Sequence, residues 1–249
     1  MQLDANHNAL LATAMLSGLF WAIAYVLIIY RGFKDKSYGM PVVALVSNFA
    51  WELIYGLGIE PSCILTWESC PATLVQARNF LWLVLDSIIL YTVLRFGPRY
   101  FARTLGRAFV PSVLAGIVVA ALIIYTFVIE YYIANIWGVV PPGSSRATDF
   151  LPLRLQGGSD ITGFGMNLMM SLLFIFMLLE RGSVEGQSIY IAISKWLGTL
   201  AAYGFMLADN IQTPLVNVLY ATIFVLDVIY IWLVYRQCRR EGINPWRRA

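Results

Sequence analysis

The sequence predicts an all-α membrane protein, a single bundle of seven transmembrane helices, and three observations lead to this fold class. Hydrophobic residues make up 59% of the 249 residues and charged residues only 12%, whereas about 25% of the residues in soluble domains are charged. The mean hydropathy is +0.71. The apolar residues form seven long stretches, with basic residues clustered between alternate stretches. We therefore expect residues 1–249 to form one domain in lipid.

Each apolar stretch is close to the length of about 20 residues that a helix needs to cross a bilayer. The first ends before the polar run that starts at Arg31, and the third ends at Arg95, just before Gly97 and Pro98. The runs lack the alternation of barrel strands, so helices are the remaining way to span lipid. The predicted helices cover residues 9–30, 40–59, 76–95, 109–133, 162–180, 188–208 and 214–236.

The basic residues predict the orientation. Of the 17 Lys and Arg residues, 13 fall in the first, third and fifth connections and the C-terminal tail. Three, Arg78, Arg146 and Arg154, fall on the other side. The positive-inside rule then places the N-terminus outside and the C-terminus in the cytosol. We expect an integral protein of the plasma membrane in a bacterium or of the endoplasmic reticulum in a fungus, with the lipid bilayer as its surroundings, no nucleic acid as ligand and no obligate protein partner.

Two outer connections carry further expectations. Residues 135–161 are predicted to form one long loop, and a loop of this length is usually a lid, a binding element or simply mobile. We expect its part around Pro141–Arg154 to cover a site. Cys63 and Cys70 lie in the second connection, on the side where oxidation is permitted. The sequence leaves both alternatives open, a disulfide and two free thiols.

Several kinds of chemistry lack their residues in this sequence. The one histidine, His7, lies near the N-terminus, and neither a paired-aspartate motif for magnesium nor a glycine-rich phosphate loop is present. The intramembrane lysine, Lys195, is in the sixth helix, whereas microbial rhodopsins need one in the last. We expect no metal and no cofactor, and we expect Lys195 to extend to the headgroups.

Three carboxyl groups lie inside apolar helices: Glu52, Asp86 and Asp227. Ionisable residues within a membrane span are expensive and default to a functional interpretation, although any single one also serves as a hydrogen-bonding group between helices. At a rise of about 1.5 Å per residue, all three lie within roughly one helical turn of the same depth. We therefore expect them to line one polar pocket as catalytic acids.

Aromatic and amide side chains accompany each acid at helical spacing. They include Asn48 and Tyr55 with Glu52, Asn79 and Trp82 with Asp86, and Tyr220, Phe224 and Tyr230 with Asp227. Trp51 lies beside Glu52 rather than on its face. Aromatic faces near a neutral carboxylic acid can stabilise a carbocation by cation–π attraction. We predict as substrate-binding residues Asn48, Trp51, Tyr55, Asn79, Trp82, Phe224 and Tyr230.

Three segments together resemble one family. Helix 2 contains Asn48-x-x-Trp51-Glu52, helix 3 contains Asn79-x-x-Trp82 followed by Asp86, and helix 7 contains Phe224, Asp227 and Tyr230. In order, spacing and context they resemble the integral-membrane terpene cyclases of fungal and bacterial meroterpenoid and indole-terpenoid pathways, over nearly the whole chain.

The resemblance implies a metal-independent cyclisation of a polyprenyl chain that is already attached to an aromatic or indole core. An acid would protonate a terminal epoxide or alkene, and the alkenes of the chain would then attack the cation in turn. The resemblance also implies that Glu52 and Asp227 are essential. The alternatives are a proton-coupled seven-helix transporter, which would also use mid-membrane acids, and a structural membrane protein. Transporters of this size usually show repeated halves and helices broken by Gly or Pro at matching positions, and the sequence shows neither.

Overall fold

The computed structural model of the protein describes residues 2–59, 73–137, 145–208 and 214–249, and within these ranges the chain forms seven α-helices. They are α1 (Gln2–Lys34), α2 (Val42–Gly56), α3 (Thr73–Phe96), α4 (Phe109–Trp137), α5 (Ser145–Arg181), α6 (Ile189–Ala208) and α7 (Pro214–Arg240). The short 3-10 turns Gly97–Arg99, Gly106–Ala108 and Pro245–Arg247 complete the regular structure described. The predicted fold class, an all-α bundle of seven helices, is confirmed.

The helix bounds differ from the prediction most clearly at α5. This helix begins at Ser145, and α4 continues to Trp137, so most of the segment 135–161 that we predicted as a loop is helical. That prediction was wrong because hydropathy detects the part of a helix inside the hydrocarbon and not its polar extension beyond it. Pro141 lies outside the described residues, as do Cys63 and Cys70.

The surface of the bundle is apolar and the polar groups are inside. Large apolar side chains such as Met15, Ile123 and Val218 are more than 60% exposed, whereas Glu52 and Asp227 are 1% exposed or less. Among the described residues, six helices are long and apolar enough to cross a membrane. The remaining helix, α2, has 15 residues and is about 22 Å long, so the second predicted span is shorter than expected. This inside-out distribution is that of a protein embedded in lipid.

Contacts between helices place α2 within the bundle. Neighbours in space follow the order α1, α3, α2, α5, α7, α6 and back to α1, while α4 packs against α2 and α5. Among the six long spans, α4 has the smallest buried share, as expected for a helix that packs on the outside of this ring. The short α2 therefore contacts three helices, and its side chains point into the ring as well as toward α4.

At one end of the bundle lie the α1–α2, α3–α4 and α5–α6 connections and the C-terminal segment, and we call this the basic end. Here the α1–α2 and α5–α6 connections touch closely. Gly186 has φ +73°, and a Cβ at this position would lie 2.7 Å from the Tyr38 carbonyl oxygen. Both the positive φ and the close carbonyl oxygen require a glycine here. That the basic end faces the cytosol stays a prediction.

Asp35 ties three segments together at the basic end. Its carboxylate forms a hydrogen-bonded ion pair with Arg31, accepts from the Gly186 amide at 2.8 Å and pairs with Arg248 at 2.7 Å. Arg248 also donates to the Val184 carbonyl at 2.7 Å. Burial and the neighbouring Arg31 lower the pKa of Arg248 from its ordinary value, and the Asp35 carboxylate opposes this shift. One carboxylate thus pairs with two guanidinium groups where three chain segments meet.

We predict that Asp35→Asn destabilises the protein, because Arg31 and Arg248 then face each other with no negative charge between them. A loss of about 2–4 kcal/mol is expected for breaking such a half-buried pair, which thermal unfolding in detergent would show as a lower midpoint. The control is Glu185→Gln, which removes a half-exposed partner of Arg99 and should cost less than about 1 kcal/mol. Equal midpoints for the two variants would contradict this account of the basic end.

Candidate active site

Glu52 on α2 and Asp86 on α3 lie side by side, joined by the Asn48 amide. Asn48 Nδ2 donates to Glu52 Oε1 at 2.9 Å and to Asp86 Oδ2 at 2.8 Å. The Tyr25 hydroxyl on α1 donates to Glu52 Oε1 at 2.9 Å and lies 2.7 Å from Asn48 Nδ2. All four side chains are buried. We call Tyr25, Asn48, Glu52 and Asp86 the carboxyl cluster.

The carboxyl cluster has unused hydrogen-bonding capacity. Within the described part of the chain, Glu52 Oε2 and Asp86 Oδ1 are buried and have no hydrogen-bond partner. The same is true of Trp82 Nε1. Native structures hydrogen-bond the large majority of buried polar atoms, so each exception needs an explanation. Two acceptors and a donor left open around one pair of acids are what a site for a polar or reactive group of a ligand provides.

Farther from the basic end, α3 carries three more polar or aromatic side chains, those of Arg78, Asn79 and Trp82. Arg78 NH2 donates to Asn79 Oδ1 at 3.1 Å, and its guanidinium lies 4.7 Å from the Trp82 ring centroid. Asn79 is 2% exposed and packs where α2 ends, since a Cβ on Gly56 would lie 3.2 Å from its carbonyl oxygen. These side chains lie on α3 beyond Asp86, toward the end opposite the basic one.

Asp227 belongs to a second cluster and not to the first. Lys195 Nζ donates to both of its oxygens, at 2.7 and 3.0 Å, and to Ser171 Oγ at 2.6 Å. The Ser171 hydroxyl lies 2.8 Å from Asp227 Oδ1. We call Ser171, Lys195 and Asp227 the ion-pair cluster. The three acids therefore do not share one set of hydrogen bonds, because equal depth does not fix the direction around the bundle in which a helix face points. That all three line one polar pocket as catalytic acids stays a prediction.

The prediction for Lys195 is also wrong. Its side chain is 1% exposed and does not extend to the headgroups, because the face of α6 that carries it is turned toward Asp227 in the bundle interior. A buried ammonium needs an opposite charge, and the ion pair supplies it.

Trp21 lies between the two clusters. Its ring centroid is 5.7 Å from Lys195 Nζ and 6.0 Å from the Tyr25 ring, which it meets edge-on. A Cβ at Gly198 on α6 would lie 2.7 Å from Trp21 Cδ1, so the absence of a side chain there makes room for the indole. Contacts therefore run without a break from Lys195 through Trp21 and Tyr25 to Glu52.

The remaining predicted aromatic residues lie in different surroundings. Trp51 packs against Tyr55 with ring centroids 4.4 Å apart and donates to Thr162 Oγ1 at 3.1 Å. Phe224 packs against Trp196 at 5.5 Å. Tyr230 donates to Gln187 Oε1 at 2.9 Å, toward the basic end. These residues therefore have different neighbours in the bundle.

A cleft of about 750 Å³ lies between α2, α4 and α5. Its lining residues, all from the described part of the chain, do not include Trp51, Tyr55, Trp82, Phe224 or Tyr230. Ser47 lines the cleft, whereas its neighbour Asn48 binds the two acids, so α2 separates this cleft from the carboxyl cluster. The aromatic wall around the acids therefore stays a prediction.

The sequence analysis missed Trp21, Tyr25 and Ser171. Trp21 and Tyr25 are four residues apart on the first helix, a spacing that places both on one face. Asn167 and Ser171 share that spacing on α5, where Asn167 Nδ2 donates to Thr199 Oγ1 at 2.8 Å. Polar residues four apart within apolar helices were the available signal. Among the described residues, no three Asp, Glu, His or Cys side chains converge as metal ligands would.

Comparison with known proteins places the chain in a family. Terpene cyclase macJ of Penicillium terrestre is 29% identical over 187 residues, which cover 75% of this chain and 62% of that protein. Terpene cyclase ascF of Acremonium egyptiacum is 28% identical over 197 residues, 76% of this chain and 63% of that protein. Both matches thus span less than two thirds of the relative. Terpene cyclase pyr4 of Aspergillus fumigatus is 27% identical over 244 residues, 93% of this chain and 88% of that protein.

No solved structure matches the chain. The sequence profile of one family, in contrast, matches residues 6–241, almost the entire chain. The resemblance carried by the helix 2, helix 3 and helix 7 segments is thereby confirmed, and the chain belongs to the Pyr4-like transmembrane terpene cyclases.

Proposed function

We propose that this protein is a terpene cyclase that starts cyclisation by transferring a proton from the Glu52–Asp86 pair to the end of a prenyl chain. The observation that carries the proposal is the buried carboxyl pair with one unpartnered oxygen on each acid. Family membership supports the reaction class, and the relatives named above are terpene cyclases. Nothing in these comparisons favours a transporter, the alternative considered from the sequence.

The pair suits proton donation because two carboxylates this close in a dry interior cannot both be charged at low cost. Both acids accept from one amide nitrogen, Asn48 Nδ2, and a proton shared between neighbouring carboxyls removes one of the two charges. A neutral carboxylic acid at neutral pH is then available as a general acid. The open oxygens, Glu52 Oε2 and Asp86 Oδ1, are the positions from which the proton leaves.

The acid O–H bond breaks and its proton goes to the epoxide oxygen, opening a C–O bond, or to an alkene carbon, using its π electrons. The resulting carbocation is attacked by the next alkene of the chain, and each attack forms one C–C bond. Loss of a proton from the final cation ends the cascade, as does capture of that cation by an internal hydroxyl, which forms a C–O bond and then releases its proton. If the Glu52–Asp86 pair accepts that proton, the pair returns to its protonated form.

Tyr25 and Asn48 contribute by stabilising the carboxylate left after proton transfer. Both donate to Glu52 Oε1, and hydrogen bonds to an ionised acceptor are roughly twice as strong as neutral ones. They therefore strengthen as the transition state is reached, which is the condition for an interaction to raise the rate.

The proposed substrate is a prenyl chain attached to an aromatic or indole core. Such a chain partitions into the bilayer, which surrounds the bundle on all its apolar faces. No diphosphate leaves in this reaction, and we therefore propose that neither a metal nor another cofactor is needed. We expected a long loop to cover the site, but the segment from Ser145 onward is helical and does not form part of such a loop.

The test of the proposal is incubation of membranes that contain the protein with an epoxidised and a non-epoxidised prenyl-aromatic compound. Formation of a cyclised isomer of unchanged mass supports the proposal. Uptake of the compound into vesicles without isomerisation would support a transporter instead. Membranes lacking the protein provide the background.

We predict that Glu52→Gln lowers turnover by more than about a hundredfold, because the amide keeps the size and hydrogen-bonding capacity but cannot donate a proton of comparable acidity. Asp86→Asn should lower turnover by roughly tenfold or more, since the pair then loses its second carboxyl. The matched control is Glu185→Gln, a half-exposed acid at the basic end. A well-folded Glu52→Gln with most of its turnover would remove Glu52 as the initiating acid.

We predict that Trp82→Leu diverts the cascade and yields prematurely deprotonated or partly cyclised products, because an aromatic face beside the cation is lost. The chain offers a matched control in Trp232, which also lies under an arginine, at 5.2 Å from Arg236, but is 54% exposed on the outer surface. Product analysis by mass and retention compares the two leucine variants. Wild-type products from Trp82→Leu would show that this ring does not face the reacting chain.

A further inference from the structure

Asp227 and Glu52 are both buried carboxyls in apolar helices, yet their surroundings differ in one respect. Both oxygens of Asp227 accept from the Lys195 ammonium, at 2.7 and 3.0 Å. Glu52, by contrast, is surrounded by a hydroxyl, an amide and a second acid, and its Oε2 is open within the described part of the chain. A carboxylate held by an ammonium on both oxygens is a poor source of protons, because donation requires an O–H bond that the ion pair displaces.

The ion-pair cluster is also complete as a hydrogen-bonding unit. The ammonium has three N–H donors, and it contacts Asp227 Oδ1, Asp227 Oδ2 and Ser171 Oγ within 3.0 Å. Thr199 supports the same turn of α6 by donating to the Lys195 carbonyl at 3.0 Å. A buried ion pair in lipid persists only with this degree of satisfaction.

The ammonium of Lys195 in turn fixes the indole of Trp21, which lies 5.7 Å away. Attraction between an ammonium and an aromatic face is strongest where water is excluded. Gly198 leaves the space that the indole occupies, and the indole meets the ring of Tyr25 edge-on. The hydroxyl of that tyrosine binds Glu52.

From these contacts we propose that Asp227 is the counter-ion of Lys195, and that Lys195 is a positioning residue that orients Glu52 through Trp21 and Tyr25. Only the Glu52–Asp86 pair then supplies the proton. The consequence is that Asp227 is required because its removal leaves an uncompensated ammonium, not because it takes part in the chemistry. The role assigned to Glu52 rests on the proposed function; the role assigned to Asp227 as counter-ion does not.

The experiment compares wild type with Lys195→Met, Asp227→Asn and the double variant Lys195→Met/Asp227→Asn. Methionine keeps most of the length of the lysine stem, and asparagine keeps the shape of the aspartate. Lys34→Met is the matched control, because Lys34 is exposed at the basic end, where its ammonium donates to the Tyr30 hydroxyl. Thermal unfolding in detergent and steady-state cyclisation are both measured.

The unfolding measurement is independent of the cyclase activity. Asp227→Asn should lower the midpoint by roughly 10 °C, since an unpaired charge remains in the interior, and the double variant should recover at least half of that loss. Lys34→Met should leave the midpoint unchanged. A double variant no more stable than Asp227→Asn, including one that expresses equally poorly, would overturn the assignment of Asp227 as counter-ion.

The activity measurement separates a counter-ion from a catalytic group. Asp227→Asn should lose turnover by about a hundredfold, with kcat affected more than KM because the substrate site is intact. Lys195→Met and the double variant should each retain about a tenth of wild-type turnover, because both lack the ammonium that positions Trp21 and Tyr25 but neither holds an unpaired ammonium. A double variant that is stable and binds substrate but is as inactive as Asp227→Asn would show that Asp227 itself takes part in the reaction. Absence of cyclisation by the wild type would contradict the proposed function. The unfolding result would then still decide whether Asp227 is the counter-ion of Lys195.

Discussion

A charged side chain in the hydrocarbon of a bilayer has to be paired or made neutral, and the interior of this bundle meets that requirement in two different ways. Lys195 and Asp227 cancel each other's charge within 3.0 Å, which fixes α6 against α7. Glu52 and Asp86 have no basic partner among their described contacts, and we propose that they lower their charge by sharing a proton. Under these proposals the first arrangement holds no transferable proton, and the second leaves one available for transfer.

The position of α2 makes the second arrangement possible. This helix has only 15 residues, and it contacts α3, α4 and α5, so one of its faces is enclosed by the ring. Asn48 and Glu52 are four residues apart on that face. The Asn48 amide reaches both acids and the Tyr25 hydroxyl, and thus links α1, α2 and α3 at a single nitrogen. Removing this one amide would leave two acids and a phenol without their common donor.

The sequence was sufficient to predict seven helices, because hydropathy follows directly from residue type, but not the polar extension of α5. It also drew attention to Glu52 and Asp86 as buried acids, because carboxyl groups are rare in spans. It did not show which acids meet. Asp227 has the depth of Asp86, but the rotation of α7 turns it toward Lys195, and rotation depends on packing between helices that are distant in sequence. Tyr25 was missed for a related reason: in a single apolar helix a tyrosine is indistinguishable from one that faces the membrane interface. Lys195 was assigned to the headgroups because its partner lies 32 residues away.

The central claim is that the Glu52–Asp86 pair holds a proton in the resting protein at neutral pH. Infrared spectroscopy of the protein in lipid bilayers measures this directly, because a protonated carboxylic acid has a carbonyl stretch that is well separated from the bands of a carboxylate. Difference spectra between wild type and Glu52→Gln, and between wild type and Asp86→Asn, should show loss of a protonated-acid band in at least one case. Asp227→Asn, compared with wild type, should show none, because the Lys195 ammonium keeps Asp227 ionised. Spectra in which neither variant of the pair loses such a band would mean that both acids are ionised, and would contradict the account.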